Sequence, residues 1–70
     1  MTAFPVLYSK GYSKVDGETP IYFWGLGSFK YEIERIVSGA DRLTLSEVFE
    51  SSYEEAMIKF EKMVDKVVML

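Results

Sequence analysis

Hydrophobic and polar positions alternate most regularly in the segment FKYEIE, which begins at Phe29. Successive side chains of a β-strand point to opposite faces, so this period predicts a half-buried strand over about residues 29-37 with Phe29, Tyr31 and Ile33 directed into a core. A helix is the competing interpretation, because the apolar residues at the end of the segment are also spaced three and four apart. We favour the strand, since the alternation continues without a break up to Arg35.

Two segments before this one also predict strands. Residues about 3-14 mix β-forming residues with proline and glycine, which is typical of an irregular strand near a sheet edge. Asp16-Gly17 is a dipeptide favoured in tight hairpin turns with positive φ at both positions, and a second strand follows over about residues 20-26. Gly25 and Gly27 indicate a turn or a bulge at its end.

A fourth strand is predicted over about residues 42-49, after a turn at SGAD. The length of that turn sets which residues face each other across the third and fourth strands. A register that places Tyr31 opposite Phe49 keeps apolar side chains together on one face, whereas a shift by one residue pairs glutamate with leucine. Burial therefore selects the first register.

The last third of the sequence has the pattern of an amphipathic helix over about residues 52-69. Ser51 and Ser52 each precede a glutamate, Glu54 or Glu55, by three residues, which is the spacing of a capping box at a helix start. The apolar stripe that follows consists of Tyr53, Ala56, Met57, Phe60, Met63, Val64, Val67 and Val68. Charged residues occupy the opposite side of this helix.

Together these segments predict an α+β fold in a single domain, residues 1-70. We expect an antiparallel meander of three or four strands, with one long C-terminal helix packed on one sheet face. At 70 residues the chain has little interior, and it contains neither cysteine nor histidine. Disulfides and ordinary zinc sites are thus excluded as sources of stability, so efficient packing or self-association must supply it.

Charge and hydropathy narrow the function classes. The net charge of −3 argues against a protein that binds a phosphate backbone, which needs a concentrated basic patch. No segment approaches the length of a membrane span, and the N-terminus lacks the pattern of a signal peptide, so we expect a cytoplasmic, unprocessed protein with no membrane partner. Without histidine or cysteine the usual nucleophile and base arrangements cannot form, and we predict no catalytic residue, cofactor or metal.

The aromatic run in the second strand raises the question of function. Strand geometry sends Ile21 and Phe23 to one face and Tyr22 and Trp24 to the other, but one helix covers only one face. The uncovered rings would then form a surface of the type enriched at protein contacts. The predicted partner-binding residues are Tyr8, Tyr12, Tyr22, Trp24, Lys10, Lys30 and Glu32.

Three further interpretations are open. Aromatics beside lysines on an open sheet can stack single-stranded nucleic acid, although carboxylates lie in the same half of the chain. Alternatively, the chain is a structural subunit that forms a homodimer through a helix or sheet edge, or through Met69 and Leu70 at the apolar C-terminus. A third possibility is that loop residues such as Phe4 fold over the second face and bury the rings.

In general shape and size only, a small acidic strand meander with one terminal helix resembles the compact proteins that phages and mobile elements encode to block a host assembly, anti-CRISPR proteins among them. The leading hypothesis is therefore a small non-enzymatic protein-binding module, of the kind that acts as an inhibitor. The sequence specifies neither the partner nor the effect of binding.

Overall fold

The computed structural model describes residues 4–37 and 43–69. It is an α+β structure with one antiparallel sheet and one short helix. The elements in chain order are β1 (Val6–Ser13), β2 (Pro20–Gly27), β3 (Lys30–Val37), β4 (Leu43–Glu50), α1 (Tyr53–Met63) and β5 (Val64–Met69). The strands lie in the order β4-β3-β2-β1-β5, so the first four form the expected meander and the last returns to pair with β1.

The prediction of one long helix to about residue 69 is wrong. Helix α1 has 11 residues and ends at Met63, and Val64 has the extended dihedral angles φ −115° and ψ 149°. The next six residues form β5, which raises the strand count from the expected three or four to five. Three valines in this segment have branched side chains that suit a strand, and the open edge of β1 offers their backbone a hydrogen-bonding partner.

The start of α1 follows the capping prediction. Ser52 is the N-cap, and its hydroxyl accepts a hydrogen bond from the backbone N–H of Glu55 at 3.2 Å. Glu54 and Glu55 lie in the first turn, where their carboxylates face the positive end of the helix dipole. Local sequence thus fixes the helix start, whereas tertiary pairing fixes its end.

The register between β3 and β4 is confirmed, since Tyr31 pairs with Phe49 along an unbroken ladder. A bulge lies at Leu26, between Gly25 and Gly27, as the glycines indicated. The expectation that Phe29 is a core residue is wrong. Phe29 occupies the turn before β3 with φ +60°, and its side chain is 67% exposed.

The connection between β1 and β2 also differs from the predicted tight turn. Only Gly17 of the Asp16-Gly17 pair has a positive φ, and the loop is longer than two residues, since β1 ends at Ser13 and β2 begins at Pro20. The Asp16 carboxylate accepts hydrogen bonds from the backbone N–H groups of Glu18 and Thr19, at 2.8 and 2.9 Å, and from the Thr19 hydroxyl. These bonds, the hydroxyl bond first, lower the pKa of Asp16 to about 2.

The core lies between α1 and one face of the sheet. Phe23 is its centre, with ring centroids 5.4 Å from Phe60 of the helix and 5.6 Å from Tyr31 of β3. The buried apolar residues are Ile21, Phe23, Tyr31, Ile33, Ala56, Phe60 and Val64. Burial, and to a lesser degree the neighbouring phenols of Tyr8 and Tyr53, raises the pKa of Tyr31. We call this side of the sheet the helix face.

Candidate functional site

The second face of the sheet carries Lys10, Tyr12, Tyr22, Trp24, Glu32 and Glu34, and we call these six residues the open face. Alternation along β2 places Ile21 and Phe23 on the helix face, so Tyr22 and Trp24 project from the other side. Both of these rings are half-buried. In the described ranges 4–37 and 43–69, the sole helix packs on the opposite face, and no second layer covers these rings.

Strand pairing arranges these side chains in two rows. In one row Lys10, Tyr22 and Glu34 are neighbours on β1, β2 and β3. In the other row Trp24 lies between Leu7 and Glu32. Cross-strand neighbours are close enough for their side chains to interact, so Tyr22 and Trp24 each have an acidic neighbour on β3.

Three polar contacts involve the rings of the open face. The Trp24 indole Nε1–H donates a hydrogen bond to Glu34 Oε1 at 3.1 Å. The Lys10 Nζ lies 5.5 Å from the ring centroid of Tyr12 and 5.5 Å from that of Tyr22, within the range of a cation–π interaction. The open face is therefore an aromatic surface with fixed rings, crossed by one cation and two carboxylates.

The predicted site residues do not all lie on this face. Lys10, Tyr12, Tyr22, Trp24 and Glu32 are brought together there, and Lys30 is exposed beside it at the start of β3. Tyr8 lies on the helix face, where its ring centroid is 5.7 Å from that of Phe23.

A bulge in β1 explains the position of Tyr8. Leu7 pairs with Trp24 and Ser9 pairs with Phe23, so Tyr8 is an extra residue without a partner on β2. Simple alternation would put Tyr8 on the side of Lys10 and Tyr12, but the bulge turns its side chain to the helix face. Its ring is partly buried against the core.

Sequence reasoning missed two residues at this surface. Glu34 is not among the predicted partner-binding residues, yet it accepts the Trp24 hydrogen bond. Val48 on β4 is 52% exposed and pairs with Glu32, which extends the open face with an apolar side chain. The predicted register of Tyr31 with Phe49 already implied the pairing of Glu32 with Val48, so a signal for Val48 was present.

Other surfaces offer less distinctive chemistry. A cleft of about 290 Å³ lies on the helix face and is lined by Ser13, Lys14, Val15, Ile21, Arg35, Lys62 and Met63. Among the residues that the structure describes, no group of three or more acidic side chains is placed to hold a metal ion. No helix in the described part of the chain is both long and apolar enough to cross a membrane.

No family model, curated protein or solved structure matches this chain.

Proposed function

We propose that the protein is a small non-enzymatic module that binds another protein through the open face. The observation that supports this proposal is the set of half-buried rings of Tyr12, Tyr22 and Trp24, which no described helix covers. Aromatic side chains with a polar tip are enriched at the centre of protein interfaces, because each contributes a large apolar area and a hydrogen-bonding group.

The charges on the open face favour a protein over a nucleic acid. Glu32 lies beside Trp24 on the neighbouring strand, and the Glu34 carboxylate holds the Trp24 indole. A phosphate chain that stacked a base on Trp24 would approach both carboxylates and be repelled, whereas a protein surface of mixed charge can complement Lys10 and the two acids together.

The fixed rings also suit binding. An interface loses free energy when mobile side chains must be ordered on association, at about 0.5–1.5 kcal/mol for each rotamer-rich side chain. The hydrogen bond of Trp24 and the cation–π contacts of Lys10 restrict the rings before a partner arrives. We therefore expect Trp24 and Tyr22 to contribute most of the binding free energy.

The test begins with capture of partners from the native host by the wild type, Trp24→Ala, Tyr22→Ala and a matched control. Ile58→Ala is the control, because Ile58 is an exposed apolar residue of α1, away from the open face. The affinity of each variant for the purified partner is then measured by calorimetry, with circular dichroism to verify folding. We expect each open-face variant to weaken binding about 30-fold, as for a contact worth 2 kcal/mol, and Ile58→Ala to bind as the wild type does.

Equal affinity of folded Tyr22→Ala and the wild type would overturn the proposal. If Trp24→Ala fails to fold, Tyr22→Ala still tests the proposal. Labelled single-stranded DNA and RNA form a second arm at low ionic strength, where we expect no binding. Binding that weakens with salt and is lost in Tyr22→Ala would instead assign the open face to nucleic acid.

The chain resembles phage-encoded inhibitors in general shape and size, and this resemblance suggests that binding inhibits a host assembly. This part of the proposal is tested on the captured partner, by measuring its activity with and without the protein. Loss of that activity at stoichiometric protein, with recovery in Tyr22→Ala, is the expected result. Unchanged or increased activity would leave a binding module without inhibitory action.

A further inference from the structure

Strand β4 forms one edge of the sheet and differs from the rest of the sheet in its regularity. It pairs with β3 over eight residues without a shift in register. The ladders between β1 and β2, β2 and β3, and β1 and β5 each contain at least one irregularity. Within the described residues, the outer side of β4 therefore presents a long, regular row of backbone donors and acceptors, which is the geometry that accepts a further strand.

Strand β4 lacks the commonest of the features that protect an edge strand, and Glu47 is the one charge that it directs to the helix face. Natural edges are commonly blocked by lysine, proline, a bulge or a short length. The sequence LTLSEVFE contains neither lysine nor proline. The opposite edge, β5, is shorter and carries two register shifts against β1, so it has the protection that β4 lacks.

Strand β4 carries two acids, one of which is paired within the chain. Glu47 forms a salt bridge with Lys59 of α1, and Glu50 lies opposite Lys30 of β3. Leu45 on the helix face and Val48 on the open face are 44% and 52% exposed. An added strand would cover exposed apolar area on both sides of the sheet.

We propose that the outer edge of β4 pairs with β4 of a second copy of this chain, so that two five-stranded sheets join into one continuous antiparallel sheet. The two-fold axis of such a pair is perpendicular to the sheet, and it passes midway between one residue and the same residue of the other copy. An axis at Glu47 would set two carboxylates directly opposite, which is unfavourable. An axis at Ser46 avoids this repulsion and places a small side chain at the centre.

On the helix face this register sets Leu45 of each copy opposite Glu47 of the other, whose carboxylate is bridged to Lys59. On the open face the pairing is self-complementary. Thr44 of each copy lies opposite Val48 of the other, and two β-branched residues are a favourable cross-strand pair. The contact thus occurs twice by symmetry. A second copy fits this edge because its own Thr44 and Val48 complement each other across the axis, and because Glu47 already has an ionic partner, Lys59, within its own chain. For a chain of 70 residues with a small core, association adds burial that the monomer cannot provide.

The experiment measures the mass of the protein in solution by light scattering and sedimentation velocity, from low micromolar to near-millimolar concentration. We expect the wild type to change from monomer to dimer. Ser46→Lys and Ser46→Glu should each stay monomeric, because like charges then meet on the axis. An equimolar mixture of the two variants should dimerise, because opposite charges now meet there.

Ser28→Lys is the matched control, since Ser28 is an exposed serine in the turn between β2 and β3. It should associate as the wild type does. A wild type that stays monomeric throughout the range would overturn the proposal, as would folded Ser46 variants that both dimerise alone, or a mixture that remains monomeric. These measurements contain no partner protein, so their failure would not bear on recognition through the open face.

Discussion

The ring of Tyr8 lies directly over the Cα atom of Gly25. A Cβ atom on Gly25 would be 2.8 Å from Tyr8 Cζ and 2.9 Å from its hydroxyl oxygen, with Cε2 nearer still. Gly25 thus provides the space that lets the bulge in β1 direct Tyr8 into the core. The packing of Tyr8 on the helix face thus requires glycine at position 25.

Gly25→Ala should therefore destabilise the protein. The methyl group must displace the Tyr8 ring, and forced repacking of this kind typically costs about 1–3 kcal/mol. The free energy of unfolding in urea measures the loss. Gly27→Ala is the control, because a Cβ atom at Gly27 has no atom within 4 Å. Equal stabilities for the two variants would show that Tyr8 moves aside freely.

Phe60→Ala should be the most damaging substitution on α1. Phe60 is 0% exposed and stacks on Phe23 at the centre of the core, and loss of a buried phenylalanine ring costs about 3–5 kcal/mol. Ile58→Ala, on the exposed side of the same helix, should change stability by no more than about 0.5 kcal/mol. Thermal and urea unfolding of both variants test this difference, and similar losses would contradict the orientation of α1.

Phe29→Gly should stabilise the protein by up to about 1 kcal/mol. A residue with a Cβ atom is strained at φ +60°, whereas glycine adopts this conformation freely and offsets part of the gain by its larger entropy when unfolded. Phe29→Ala distinguishes the effect of the ring from that of the backbone conformation, because it removes the ring and keeps the strain. If both variants gain equally in urea unfolding, the backbone conformation is not the cause.

Asp16 should make stability fall in acid. Its folded pKa of about 2 lies below the ordinary 3.8, so the ionised carboxylate favours the folded state. This contribution is complete above pH 3.8 and disappears as the pH falls to about 2. Asp16→Asn should flatten the stability profile in this window, measured as the urea midpoint against pH. NMR titration of the wild-type carboxyl provides a direct check, and an ordinary pKa would contradict the turn geometry.

The strand pattern could be predicted from the sequence because it depends on local alternation and burial. Tyr31 and Ile33 alternate with charged residues, and pairing Tyr31 with Phe49 keeps apolar side chains on one face. The cap at Ser52 is likewise local, since one hydroxyl reaches the N–H group of the third helical residue. Such features need no knowledge of distant segments.

The end of α1 could not be predicted in this way. Val64, Val67 and Val68 fit a helical stripe, but they also suit a strand, and the choice depends on the unpaired edge of β1 more than fifty residues earlier. The sheet face on which Tyr8 lies could not be predicted for a similar reason. One extra residue in β1 reverses the direction of the Tyr8 side chain. This bulge is visible only in the pairing of Leu7 with Trp24 and of Ser9 with Phe23.

The return of β5 to β1 gives this fold a constraint during synthesis on the ribosome. Lys10 near the beginning of the chain pairs with Met69, so the sheet cannot be completed until that late segment leaves the exit tunnel. Until then β1 has a bare edge, and the core lacks Val64. The nascent chain must keep this edge from pairing with neighbouring chains, and the bulge and glycine in β1 are suited to that task.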